Sequence, residues 1–186
     1  MAPMPPRSWP AGLTRVRDAA GLLLVFPSAG RAHIVLTVRA ETLGRHSGQV
    51  SLPGGVIEPG EAFEEAALRE AHEEVSLASA DVRIIGMLTP IDIPVSGFRL
   101  HPVVGASAHR PALTAADGEV ARILEVPVDD LLAPGSVVWI ERERSGRRVT
   151  VPAFRVGDDE IWGATAMVLA EFLVVLGWTG NVPADR

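Results

Sequence analysis

The sequence predicts an α/β fold, and two observations carry that reading. Short β-compatible runs recur along the chain, at residues 19–27, 32–39, 82–88, 99–107, 137–143 and 147–154. Two longer runs interrupt and close the series, residues 61–77 and 161–178, and both read as helices. The first has no Pro or Gly, and the second is the most apolar stretch of the chain.

Residues 1–18 form an N-terminal arm, Pro-rich over residues 1–11, where the continuous apolar stretch of a signal peptide is lacking. Residues 19–186 read as one domain, a size that suits 186 residues of which 47% are apolar. The first two β runs flank Ser28-Ala29-Gly30-Arg31 and read as a hairpin. Arg39, Arg45 and His46 then place positive charge just before a Gly54-Gly55 pair and a Glu58-Pro59-Gly60 turn. Arg45 and His46 also read as ordinary loop residues, exposed or hydrogen-bonded.

In the helix of residues 61–77, Glu70, Glu73 and Glu74 lie at i, i+3 and i+4 and so share one face. Leu68, Ala71 and Val75 fall on another face, toward a core, and Ala66 and Ala67 border the acids, leaving room for a bulky ligand. Like charges one turn apart repel by a few tenths of a kcal/mol per pair, roughly, and the dipole disfavours acids near a helix C-terminus. A hard divalent cation such as Mg²⁺ reverses both terms, because it takes carboxylate oxygens together with water and substrate phosphate. The bland alternative is a solvated acidic face.

Beyond the helix, residues 89–97 read as a loop with two prolines, and Pro102 in the 99–107 run suggests an edge strand or a bulge. His101 and His109 are too loosely spaced to argue a metal site. Residues 108–118 read as a polar loop, and a β-hairpin turns at Arg144-Ser145-Gly146. The 161–178 run is long enough to span a membrane, but Glu171 at its middle argues for a buried helix.

Net charge is −6, which argues against a nucleic-acid surface. There is no Cys, which removes disulfides and thiol chemistry. All 17 basic residues are Arg. With the abundant Ala, Gly and Pro, this points to a GC-rich bacterial genome. The expected setting is the cytoplasm, with no membrane and no nucleic-acid partner.

The spacing around the acids removes the bland alternative. The pattern G-x5-E-x7-R-E-U-x-E-E-x-G-U, where U is a large aliphatic residue, resembles the box of the Nudix hydrolase family. Gly55, Glu61, Arg69, Glu70, Glu73, Glu74 and Leu77 match it; Ala71 and Ser76 depart from it. Upstream, Leu36, Thr37, Arg39, Leu43, His46, Gly48, Gln49, Val50, Pro53, Gly54 and Gly55 resemble the additional motif of the coenzyme A pyrophosphatase branch. There Ala40, Gly44 and Leu52 depart, with Arg45 one place beyond the motif's Arg. The segment from Glu119 and the Trp162-Gly163-Ala164-Thr165-Ala166 start of the last helical run resemble the same branch.

The resemblance implies an α/β/α sandwich with a mixed sheet, and hydrolysis of a diphosphate with Mg²⁺ or Mn²⁺. Glu70 and Glu74 would be the main metal ligands, and Glu73 a further ligand or base. A carbonyl of Gly54 or Gly55 would complete the set. Arg69 would orient a neighbouring Glu, Glu61 would brace the loop, and Glu119 would assist from outside the box. Arg39, Arg45, His46 and Gln49 would meet the substrate. The implied substrate is coenzyme A, free or acylated. The alternatives are a dinucleotide, an ADP-sugar or a nucleoside triphosphate, and a non-catalytic ligand sensor.

Overall fold

The computed structural model describes residues 16–40, 48–144 and 146–180. Two long strands, β1 (Arg17–Ser28) and β2 (Arg31–Arg39), form the expected hairpin. Ala29 and Gly30 make its turn with φ of 49° and 76°. A two-residue turn with both φ positive matches the twist of the strands it joins. Side chains alternate across β1, so Leu22, Leu24 and Phe26 enter one core and Leu23 enters the other.

The remaining elements follow in order: β3 (Val50–Ser51), β4 (Gly54–Val56), α1 (Phe63–Val75), β5 (Val82–Met87), β6 (Ile91–Ile93), β7 (Phe98–Ser107), β8 (Val120–Pro127), α2 (Val128–Leu132), β9 (Val137–Arg144), β10 (Arg147–Val156), β11 (Asp159–Trp162) and α3 (Gly163–Val175). The main sheet runs β3-β2-β1-β7-β5, with β4 on β1, β6 on β7 and β8 on β2. The β1–β7 pairing is parallel and the others are antiparallel, so the sheet is mixed. Helix α1 packs on one face through Ala66, Ala67, Ala71 and Val75. Helix α3 covers the other through Val168, Leu169, Phe172 and Leu173. The result is the expected α/β/α layering.

β1 has β7 along one side, so β2 and β4 share its other side. β2 has β8 along one side, so β1 and β3 share the other. The two long strands therefore diverge, and the segment from Val50 to Val56 fills the wedge between them. Leu22 N–H donates to the Pro53 carbonyl at 2.8 Å and closes the gap.

Several expectations need correction. Ala66 and Ala67 are fully buried against the sheet rather than bordering a ligand. Small side chains there let the helix backbone approach the strands closely. Pro102 lies in an interior strand, not at an edge. Its carbonyl accepts from Leu88 N–H, so its nitrogen faces the same side, where β5 gives way to β6 and no donor is needed. The loop of residues 89–97 holds the short strand β6, and the segment after Glu119 contains β8. Ile161 and Trp162 belong to β11, which joins β9 and β10 in a separate three-stranded sheet; α3 starts only at Gly163. Glu171 in α3 accepts from Thr89 N–H at 3.0 Å and from Thr89 Oγ1 at 2.7 Å. No helix among the described residues is long and apolar enough to cross a membrane.

Helix α1 is shorter than residues 61–77 and ends at Ser76, whose φ of 56° and ψ of 29° are left-handed. Ser76 N–H returns to the His72 carbonyl at 2.9 Å, and buried Leu77 follows. A non-Gly residue holds this conformation at a cost of about 1 kcal/mol. Ser76→Gly is expected to stabilise the protein by roughly that amount in urea unfolding. A loss of stability would show that the Ser76 side chain contributes more than the strain costs.

Candidate active site

The site forms where α1 passes the glycines of β4. Gly54 N–H donates to a Glu74 carboxylate oxygen at 3.1 Å. Glu74 is only 9% exposed. Burial pushes its pKa up to about 7; the Gly54 hydrogen bond opposes this, Glu70 adds to it, Arg39 opposes it and Glu119 adds to it. Glu70, Glu119 and Arg39 thus all lie within electrostatic reach of Glu74. The Glu70 carboxylate lies against the Gly55 Cα, and a Cβ there would overlap it.

Arg69 organises the rest. Its Nε and one terminal nitrogen grip Glu61 at 2.8 and 3.0 Å, and the same terminal nitrogen donates to the Val56 carbonyl at 3.0 Å. The other terminal nitrogen meets Glu70 at 2.8 Å and Glu73 at 3.3 Å. Glu61 in turn accepts from Glu58 N–H at 2.9 Å, which ties down the Glu58-Pro59-Gly60 turn. The Arg69 guanidinium, then that backbone bond, hold the Glu61 carboxyl below its usual range. The Glu70 side chain is 17% exposed and the Glu73 side chain 56%.

The loop before β8 is fastened to the end of α1. Ala116 N–H donates to the Glu74 carbonyl at 2.9 Å and Thr114 N–H to the Val75 carbonyl at 3.0 Å. That brings Glu119 to the acids, and its carbonyl accepts from Ala40 N–H at 2.9 Å. Arg39 N–H donates to the Gln49 carbonyl at 3.0 Å. Arg39, Gln49, Glu119 and the box acids, distant in sequence, therefore meet at one end of the sheet. Arg45 and His46 lie outside the described residues. His101 sits apart, bonded to Asp18 at 2.8 Å and stacked on Phe63 with ring centroids 3.9 Å apart.

As the side chains lie, no three His, Asp or Glu residues among those described converge into a closed ion site. Glu70 turns to Arg69 and Glu74 to Gly54, which separates the like charges. The donor set still suits a hard cation: Glu70, Glu74 and Glu119 offer carboxylate oxygens, and glycines line the approach.

The profile described as NUDIX domain matches residues 15–152. The chain belongs to the Nudix family. Relatives named "Uncharacterized Nudix hydrolase NudL" include one from Citrobacter koseri, 33% identical over 89% of this chain and 86% of its own length. Another, from Cronobacter sakazakii, is 37% identical over 87% of this chain and 83% of its own. The Nudix fold recurs in the crystal structure of a Nudix hydrolase from M. smegmatis, RenU. Its TM-score is 0.63 at 21% identity, covering 91% of this chain and 90% of that one. The NUDIX domain of Shewanella oneidensis NrtR, solved with ADP ribose, has a TM-score of 0.50 at 16% identity and covers 64% of this chain and 77% of that one.

Reading the sequence missed one group of residues beside the Nudix site. Arg142 and Trp162, from the small sheet, face Gly48, Gln49 and Val50 across a cavity of about 460 Å³. Trp162, at the head of the Trp162-Gly163-Ala164-Thr165-Ala166 run, was the one available signal.

If the acids serve a cation rather than the fold, Glu74→Gln should melt no lower than wild type in the absence of metal. Gln keeps an oxygen for Gly54 N–H and removes a buried charge. Mg²⁺ at a hundredfold excess over its Kd should stabilise the wild type by about 2.7 kcal/mol, or roughly 5–10 °C in Tm, and leave the variant almost unmoved. A marked drop of the metal-free variant would assign Glu74 to the fold.

Proposed function

We propose that this Nudix hydrolase cleaves the diphosphate of coenzyme A, free or acylated, to 3′,5′-ADP and 4′-phosphopantetheine or its acyl form. The observation that carries the reading is the meeting of the two sequence motifs. Arg39 and Gln49 of the upstream motif stand bonded to each other at the end of the sheet where Glu74 is buried.

In this reading Glu70 and Glu74 hold Mg²⁺ or Mn²⁺, with Glu73, Glu119 and a carbonyl of Gly54 or Gly55 as further oxygen donors. The cation supplies positive charge for the transferring phosphoryl group and makes an attacking water more acidic. Arg69 positions Glu70 and Glu73, and Glu61 fixes Arg69 from the opposite side. Glu73, the most exposed of the three box acids, is alternatively the base for the water.

Arg39 serves the substrate. It is exposed and makes no ion pair with another described residue. A guanidinium there suits the 3′-phosphate of coenzyme A, since a charge-assisted contact to phosphate contributes about 1.5–3 kcal/mol. The expected preference for coenzyme A over its 3′-dephospho form is at least about tenfold in kcat/KM. Arg39→Ala should erode that preference and leave the dephospho substrate much less affected. Arg45→Ala is the companion test.

The deciding experiment incubates the purified protein with coenzyme A, NADH and ADP-ribose in Mn²⁺ and identifies products by mass. Faster turnover of NADH or ADP-ribose would move the assignment to that substrate, and no turnover of any would favour a ligand sensor.

A further inference from the structure

The cavity between the small sheet and the β2–β3 connection is lined by Gly48, Gln49, Val50, Arg142, Trp162 and residues 158–160. Its volume of about 460 Å³ is that of a small-molecule site. The Arg142 guanidinium lies 5.3 Å from the centre of the Trp162 ring. Glu160 holds Arg142 at 2.8 Å and the Glu141 carbonyl holds it at 3.2 Å, so the planar group is fixed in place. Guanidinium and indole planes are surfaces on which nucleobases stack.

Among the described residues, most charges around the cavity are paired. Asp159 meets Arg122 at 2.7 Å, and Glu160 meets Arg155 at 3.0 Å as well as Arg142. Asp158 stands exposed at the rim. Among the described residues no surplus of positive charge favours a phosphate here, whereas the carboxylate of Asp158 can accept from an exocyclic amine. The cavity thus suits an uncharged, planar, amine-bearing group. Its position fits the same end of a substrate. Val50 lines it, and Gly54, which holds Glu74, is four residues further on, at most about 13 Å along an extended chain. A ribose and a first phosphate can bridge that span.

We infer that the Arg142–Trp162 cavity binds the adenine base of the substrate while the diphosphate lies at the box acids. The inference rests on the substrate being an adenine nucleotide, as coenzyme A is. Calorimetry on the full chain with Mg²⁺ tests it, using AMP, UMP and inorganic pyrophosphate as probes. Wild type should bind AMP roughly tenfold tighter than UMP, and Trp162→Ala should remove most of that difference. Trp162 precedes α3, so Arg142→Lys is the second variant: it keeps the charge and loses the plane, and should also weaken AMP about tenfold. Pyrophosphate affinity should stay within about twofold in both variants, as expected for groups remote from the acids. Equal binding of AMP and UMP by wild type, unchanged AMP affinity in both variants, or a parallel fall for pyrophosphate would each overturn the inference. If wild type leaves coenzyme A uncut while the variants lose AMP, the substrate reading fails and the base site stands. If coenzyme A is cut and AMP affinity does not change, the reverse holds.

Discussion

Glu74→Gln should lower turnover by about a hundred- to thousandfold while the protein stays folded, and Glu70→Gln should do the same. Metal charge on a transferring phosphoryl group is worth several kcal/mol, and each 1.36 kcal/mol of transition-state stabilisation is about tenfold in rate. Gln offers one neutral oxygen where the carboxylate offers two charged ones. Position matters as much as charge, because Glu74 is fixed by Gly54 N–H and Glu70 by Arg69. Rates measured across a wide Mn²⁺ range separate weak metal binding from lost chemistry. Near-normal rates for either variant at saturating metal would strip that residue of its role.

Gly54→Ala should be strongly destabilising. A Cβ at Gly54 would overlap the Ala20 carbonyl oxygen and stand 2.6 Å from the Gly21 Cα. Both obstacles are backbone, so no side-chain rotation can relieve them. β4 would have to leave β1 and take the Gly54–Glu74 hydrogen bond with it. Overpacking costs about 1–3 kcal/mol, and the lost pairing adds to it, so a total near 3 kcal/mol or more is expected. For a chain of this size that is a fall in Tm of about 6–12 °C. Gly86→Ala is the matched control: nothing lies within 4 Å of a Cβ there, and the change should stay within about 0.5 kcal/mol. Equal unfolding midpoints for the two variants would show that the wedge between β1 and β2 yields more easily than its geometry implies.

The box was legible because its information is local. One turn of helix sets Glu70, Glu73 and Glu74 on one face, and a short turn sets Glu61 against Arg69. The hairpin of β1 and β2 was legible for the same reason. What escaped depends on which surface a segment meets. Ala66 and Ala67 read as neighbours of the acids, yet the sheet claims them because α1 packs on that side. Ile161 and Trp162 merged with α3 because both elements are apolar. The change of structure falls at Gly163, whose φ of 68° turns the chain, and nothing in the hydropathy marks it. β8 escaped because its residues meet different surroundings along its length, so no clean alternation shows. Glu119, singled out beforehand, does stand beside Glu74, but only the folded loop of Thr114 and Ala116 makes them neighbours.

The contact between Gly54 N–H and Glu74 is made on one side by main chain alone. A main-chain donor is present whatever residue is encoded, so no codon change at position 54 short of proline can delete it chemically. Selection there acts on bulk. Apart from Gly48, the Arg142–Trp162 cavity is lined by residues whose side chains are open to replacement one at a time. Because any Cβ at position 54 displaces the seat of Glu74, a laboratory library aimed at new substrates should vary the cavity and leave β4 alone.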